Sequence, residues 1–385
     1  MHKNKELERK SAVSRYFNGE SPKNICVSIS RPRKWLYKWI ARFKSGDADW
    51  FLDDSRSPKH CPSKTASDIS AKIVAARISL ENTPYADRGV FAIRQKLSDQ
   101  GVDGIPSEAT INRIISAAGL VKKDSPRTKV GTPYPVPIAE MPNDVHQLDL
   151  WGPRYLGVGK LCYLLNIVDI ARRMPSIHAI PNKSFQSMIP AIVRCWQTVG
   201  IPKVLQMDNG IVTGTSLHPG SINKMLRLCL HIGIEVLFVP FAEPWRQGIV
   251  EKFNDFVDKN FFITHRFQDL TDLCEQVQTF QDYCWYNRRP SALKGKTPCR
   301  MFPDVCVHLL PEDFVIPEIS SIPAGKIRFI RMVRSNLLID VLGHKFPVDE
   351  NYYKEYVTAT LSTGSGVLRI YHQAEQIAEF KFSMC

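Results

Sequence analysis

Apolar and polar positions along the chain change their period between segments, and each change marks a change of architecture. Up to about residue 120 the period is helical. In ELERKSAVSRYFN, residues 6–18, Ala12, Val13, Tyr16 and Phe17 form one apolar stripe, closed by Gly19. Ser21 opens a short second helix that ends near Val27, and Ser30 caps a third, RPRKWLYKWIARFK, with Pro32 tolerated in its first turn. Trp35, Leu36, Trp39 and Phe43 are its expected core face. Three more helices are predicted over residues 67–80, 88–99 and 107–118. The last is opened by Ser107, stopped by Gly119, and turns Ile111, Ile114, Ile115 and Ala118 inward. Both trios have the spacing of helix-turn-helix units.

From residue 144 the pattern is that of strands. HQLDLWGP (146–153, broken at Gly152-Pro153), LCYLLNIVDIA (161–171) and MPSIHAIP (174–181) predict a three-strand meander, the second a near-continuous apolar run suited to a sheet interior. A helix over 184–199, a strand over 203–210, a helix over 221–232, a strand over 235–240 and a loop-then-helix over 244–262 complete the order β-β-β-α-β-α-β-α. That order describes a mixed sheet flanked by helices. A further helix is expected over 268–287. Beyond Lys326, KIRFIRMV, NLLIDVLGHKFPV, EYVTATLS, VLRIYH and IAEFKF predict a small β-barrel, with a tight turn at Thr363-Gly364-Ser365-Gly366.

Two stretches lack any period. Residues 53–65 are rich in Ser, Pro and Lys, and residues 122–143 carry Pro126, Pro133, Pro135, Pro137 and Pro142, which forbid a regular helix or central strand. The expected organisation is therefore a multidomain α+β chain: a helix-turn-helix domain over 1–52, a second helix-turn-helix or winged-helix-like domain over 66–121, a Pro-rich linker over 122–143, a mixed-sheet core over 144–265, a helical extension and connector over 266–322, and the small β-barrel over 323–385.

Charge tells these segments apart. The net charge is +13, and residues 1–65 hold 15 basic against 7 acidic side chains, whereas residues 263–385 hold 14 of each. A polyanion, most simply double-stranded DNA, is expected to meet the first third. On the third helix Arg31, Lys34, Lys38 and Arg42 recur on one face, and Arg33 is a further candidate cation. Such a face suits a helix in the major groove; the plain alternative is a solvated amphipathic helix. Asn112 and Arg113 point outward from the 107–118 helix, which reads either as a second recognition helix or as part of a structural bundle. Ten cysteines form no C-x2-C pair and are expected to be reduced thiols. No run reaches the roughly 18 apolar residues of a membrane span, and MHKNKELERK is charged, so a soluble, cytoplasmic protein without a membrane partner is expected.

Three carboxylates stand where a carboxylate is costly. Asp149 and Asp208 lie in or at the end of apolar strands, and Glu251 shares a helix with the inward-facing Val250, Phe253, Phe256 and Val257. Taken singly, each reads as a cap or a surface residue. Delivered together to one sheet edge, they would make a hard oxygen site for Mg²⁺ or Mn²⁺. Trp245, Arg246 and Lys252 flank Glu251 and are candidate DNA contacts, with Trp245 equally readable as core.

These residues resemble a known signature. Asp149 in HQLDLWGP, Asp208 in Asp-Asn-Gly, and Glu251 preceded by Pro244, Gln247 and Gly248 look like the Asp-Asp-Glu motif of transposases of the retroviral-integrase type, which have a ribonuclease-H-like catalytic core. Asp169 resembles the family's recurrent second-strand aspartate, which packs rather than binds metal. WYNRRPSALKGKTP, residues 285–298, resembles the element after the core, and the two N-terminal units and the tail resemble those of bacterial insertion-sequence transposases. The resemblance implies two divalent ions on Asp149, Asp208 and Glu251, cleavage at element ends followed by joining to target DNA, and a homo-multimer working in the bacterial cytoplasm or nucleoid. Two departures stand out: 42 residues separate Asp208 from Glu251, more than is usual, with the excess placed at 214–224, and Lys252 stands where many relatives have Arg. The rival readings are a catalytically idle DNA-binding regulator on the same scaffold and a nuclease that cuts without joining. The number of subunits and any need for an accessory ATPase have no motif in the chain.

Overall fold

The computed structural model describes residues 2–54, 65–121, 133–157, 159–210 and 218–384. The two aperiodic stretches and the 214–224 excess fall partly outside these residues. The chain divides into two compact units, Met1–Thr65 and Ala66–Cys385. Among the described residues no helix is long and apolar enough to cross a membrane.

The first unit is three helices, α1 (His2–Phe17), α2 (Pro22–Ser28) and α3 (Arg33–Lys44). Ser21 caps α2 by accepting the Asn24 N–H, and Gly19 takes the left-handed conformation that ends α1. Ala12, Val13, Ile25, Cys26, Leu36, Trp39 and Ile40 close one small core. Two expected core aromatics lie at its rim: Phe17 and Phe43 are half-exposed and pack on each other, ring centroids 5.2 Å apart. Their helical spacing is right, but three short helices enclose too little volume to cover both.

The second unit begins with α4 (Ser67–Glu81), α5 (Val90–Asp99) and α6 (Glu108–Ala117), packed around Ile73, Leu80, Ile93, Leu97, Ile111 and Ile115. Its centre is one nine-stranded sheet. The strands β1 (Val145–Tyr155), β2 (Leu161–Asp169) and β3 (Met174–Ile180) form the expected antiparallel meander, and β4 (Val204–Met207) and β5 (Glu235–Phe238) add to β1 in parallel. Gly152-Pro153 does not end β1; the strand runs on through a register shift between Trp151 and Arg154.

The C-terminal strands do not close a barrel. β6 (Lys326–Met332) pairs in parallel with β5, and β9 (Tyr356–Ser362), β10 (Val367–His372) and β11 (Glu375–Lys381) continue outward, giving the order β11-β10-β9-β6-β5-β4-β1-β2-β3. Among the described residues β7 (Leu338–Val341) and β8 (His344–Pro347) form a separate two-stranded hairpin. Alternation of apolar residues shows that a strand has two faces, but not which edge it will pair with, so a barrel and a sheet extension carry the same local pattern.

Helices cover both faces of the sheet. On one, α7 (Phe185–Thr198) and α8 (Lys224–Ile232) bury Trp196, Cys195, Leu226 and Cys229 against Leu148, Leu165, Leu205 and Met207, and this core runs on to Phe329, Val357 and Ile370. On the other, α9 (Gly248–Val257), a following turn of π-helix and α10 (Leu270–Tyr286) pack Val250, Phe253, Phe261 and Phe280 on Cys162, Leu164 and Val168. Asp169 is fully buried at the end of β2, paired at 2.6 Å with Arg172, and takes the Ala171 and Asn143 amides. It is a structural carboxylate.

Candidate active site

The strand pleat decides which side chains meet. Leu148 is the register partner of Met207 across the parallel β1–β4 pair, so Asp149 and Asp208 come next on the two strands. Leu148, Leu205 and Met207 all face the α7–α8 layer. By alternation Gln147 and Asp149, like Gln206 and Asp208, face the layer that holds α9 and Glu251.

Two buried glutamines tie that helix to the strands. Gln147 Nε2 donates to Gln206 Oε1 at 3.1 Å, and Gln147 Oε1 accepts the Val250 backbone N–H at 3.0 Å. Gln206 Nε2 donates to the Arg246 carbonyl at 3.4 Å. The first turn of α9 lacks a side-chain cap of its own, so a strand residue satisfies one of its open amides and thereby sets the height of Glu251. Three residues beyond Glu251, on the same helix face, Asn254 Nδ2 donates to Asp149 Oδ2 while its Oδ1 accepts from Asn166 at 2.7 Å. Asn166 is the cross-strand partner of Asp149, so this amide chain fixes one oxygen of Asp149 in place.

Asp149 is also the electrostatic hub. Burial pushes its pKa up, the charge of Asp208 pushes it further, and the Leu150 amide and Asn254 pull against both. Glu251 is raised as well, by burial and then by Asp149. Among the described residues no three His, Cys, Asp or Glu side chains stand close enough together to hold a single ion. The coupling is pairwise, Asp149 with Asp208 and Asp149 with Glu251. Asp208 raises Asp149 and Asp149 raises Glu251, so Asp149 lies within electrostatic reach of both other carboxylates, which are hard oxygen donors.

Beside Asp208, Asn209 Nδ2 donates to the Val239 carbonyl at 2.6 Å and its Oδ1 accepts from Arg331 Nη2 at 2.9 Å. Arg331 comes from β6 and is 4% exposed. It also donates to the Val239 and Asp340 carbonyls, and burial pulls its pKa down to about 10. The C-terminal segment thus braces the turn that carries Asp208.

The expected DNA contacts divide. Arg33, Lys34 and Lys38 are exposed on α3, and Asn112 and Arg113 are exposed on α6. Arg31 is paired with Glu8 at 2.8 Å, and Arg42 with Asp54 at 2.8 Å and with the Leu52 carbonyl. Trp245 is 60% exposed and is not core. Arg246 is held inside the protein: it pairs with Glu243, donates to the Tyr356 hydroxyl at 2.8 Å and lies 4.1 Å from the Tyr134 ring centroid. Lys252 is exposed and lines a cavity behind α9 with Ile249 and Phe253. The sequence pattern does not single out Gln147, Gln206, Asn254 or Arg331. An amide at the alternate position of an apolar strand marks the first two, and the i, i+3 spacing from Glu251 marks Asn254. Nothing local marks Arg331.

No protein-family model matches the sequence. Among solved structures the chain is similar to the HTLV-2 integrase catalytic core domain in complex with magnesium, dimeric form, at 19% identity over 43% of this chain and 99% of that one, with a TM-score of 0.33. It is similar to the simian T-cell lymphotropic virus intasome in complex with PP2A regulatory subunit B56 gamma, at 14% identity over 80% of this chain and 96% of that one, TM-score 0.37. A third likeness is the catalytic core domain of BIV integrase, at 16% identity, 42% and 95% coverage, and TM-score 0.31. All three are distant likenesses to retroviral integrase structures, and none of the three is a bacterial insertion-sequence transposase.

Proposed function

We propose that this chain is an Asp-Asp-Glu polynucleotidyl transferase, a transposase or integrase of the insertion-sequence kind, that grips double-stranded element ends through its N-terminal helices and cleaves and joins DNA. The observation that carries the reading is that Asp149 and Asp208 follow the register partners Leu148 and Met207 on neighbouring parallel strands, while the helix that bears Glu251 is tied to the same strand through Val250–Gln147 and Asn254–Asp149. Asp149, Asp208 and Glu251 would hold Mg²⁺ or Mn²⁺ as a pair of ions. When bound there, such ions supply Lewis acidity and a lowered pKa for an attacking water or 3′-hydroxyl.

The chain's own residues do the rest. Asn254 holds one oxygen of Asp149 by a hydrogen bond from α9. The Gln147–Gln206 pair keeps Glu251 at the height of the aspartates, and Arg331 keeps the Asp208 turn against β5. No nucleophilic side chain is called for, because a water or the DNA's own hydroxyl attacks. Arg33, Lys34 and Lys38 on α3 and Asn112 and Arg113 on α6 would meet the duplex, making the two helical trios helix-turn-helix readers. Chemistry on two DNA ends calls for more than one active site, so a homo-multimer assembles on DNA, in the bacterial cytoplasm or nucleoid.

The test is a labelled duplex carrying an element end, incubated with the protein, Mg²⁺ and a supercoiled target. Joined product is expected. Cut product alone would make the chain a nuclease, and bound DNA alone a regulator; either result would overturn the reading.

A further inference from the structure

A cavity of about 340 Å³ lies behind α9, between that helix, the start of α5 and residues 288–292. It is large enough for a small organic ligand, since binding pockets begin near 300 Å³. Its walls are apolar on one side and charged on the other, where Asp87 is the one acid among the lining residues. Phe91, Val168, Ile249 and Phe253 make an apolar side, and Arg173, Lys252, Arg288 and Arg289 bring four cations.

Two of those cations are already engaged. Arg288 pairs with Asp87 at 3.0 Å and lies over the Phe256 ring, and Arg289 pairs with Asp99 at 2.7 Å. The other two form no ion pair among the described residues. Arg173 Nη1 is buried without a hydrogen-bond partner, while the side chain as a whole is half-exposed and feels the charge of Asp169. A buried guanidinium N–H left open costs free energy unless something completes it. The first turn of α5 also reaches the cavity through Gly89 and Phe91 and has no side-chain cap, so its open amides add positive potential.

We propose that this cavity binds one nucleotide, its phosphate on Arg173 and Lys252 at the start of α5 and its base against Phe91, Ile249 and Phe253. Cations and open amides alone would suit any small anion. The apolar wall beside them is what a base requires, because a flat heteroaromatic ring gains by leaving water against Phe side chains while its phosphate stays on the cations. Lys252 follows Glu251 on α9, so the cavity and the carboxylates share one helix and lie on different sides of it. The nucleotide is either an unpaired residue of a DNA strand or a free mononucleotide. The first source rests on the function proposed above, whereas the cavity's chemistry does not.

The full-length protein is titrated with deoxyadenosine monophosphate by calorimetry, beside deoxyadenosine and inorganic phosphate. Saturable one-to-one binding of the nucleotide is expected, at least roughly tenfold tighter than either half alone, and roughly tenfold weaker in Arg173→Gln and in Lys252→Gln. Lys252 is exposed, so its variant remains informative if Arg173→Gln fails to fold. Displacement of the nucleotide by a duplex with one unpaired terminal residue, but not by a blunt duplex, assigns the cavity to a DNA strand; absence of displacement assigns it to free nucleotide. No saturable binding, or binding unchanged in both variants, overturns the proposal. Asp208→Asn separates the two readings, since it leaves nucleotide binding intact while removing DNA joining.

Discussion

Gln147 and Gln206 are register partners on adjacent parallel strands, hydrogen-bonded side chain to side chain, and each precedes one of the two aspartates by two residues. The pair converts a sheet register into a spacing between carboxylates. It also caps α9, so one buried amide network governs all three acids.

Gln147→Leu should therefore be costly. It strands the Val250 N–H and the Gln206 amide, each worth about 1–3 kcal/mol when buried without a partner. Urea unfolding should show a loss of that order, with joining activity falling further than the lost folded fraction explains. An unchanged unfolding midpoint would remove the glutamine pair from the account.

Asp149→Asn, Asp208→Asn and Glu251→Gln are each expected to lower cleavage and joining by roughly a thousandfold or more, because on the proposed function each carboxylate would help to hold the same two divalent ions. Gel-shift affinity for an element end should stay within about twofold, since the cations proposed to meet DNA, Arg33, Lys34, Lys38 and Arg113, lie on α3 and α6. Near-full joining by any one variant would contradict the assignment.

The acids should also leave a mark on stability. Asp149 and Glu251 have pKa values raised in the folded state, so the fold prefers their protonated forms. Their contribution is complete below the ordinary carboxylate range, about pH 4, and is lost as pH rises through the raised values. In chelator, the melting temperature should drop across that window by more in the natural protein than in Asp149→Asn. Added Mg²⁺ should restore it at neutral pH in the natural protein only, as a melting series with and without metal will show.

A fragment ending at residue 322 should not fold cooperatively. It would bare the β5 edge and the Phe238 face that stacks on Phe329 at 5.1 Å, and leave Asn209 without Arg331. A sharp thermal transition in that fragment would restore a separate C-terminal module. In the whole chain, Arg331→Met should destabilise by about 3 kcal/mol or more, since Asn209 and two backbone carbonyls lose a charged donor.

On α3, Lys34→Gln with Lys38→Gln should weaken DNA binding and flatten its salt dependence by about 0.9 for each phosphate no longer neutralised. Arg31→Gln should do less, because that side chain already serves Glu8. Filter binding across a salt series separates the two cases.

Elements governed by local period were legible in the chain. The helices of both trios, the meander and the strand and helix that carry Asp149 and Glu251 follow from spacing. What escaped depends on partners far along the sequence. Arg246 reads as a free cation until Tyr356 and Tyr134 are seen around it. Arg331 reads as one more strand residue until Asn209 meets it across the sheet. The C-terminal strands read as a closed module for the same reason: their decisive neighbour is β5, which no local pattern reveals.

Because β6 completes the sheet beside β5, order of synthesis matters to this protein. A nascent chain that has just exposed its basic N-terminal helix and all three acids still lacks the strand that braces the Asp208 turn, and non-local parallel pairing is slow to form. Translation thus delivers the basic N-terminal helices first and completes the support of the Asp208 turn last.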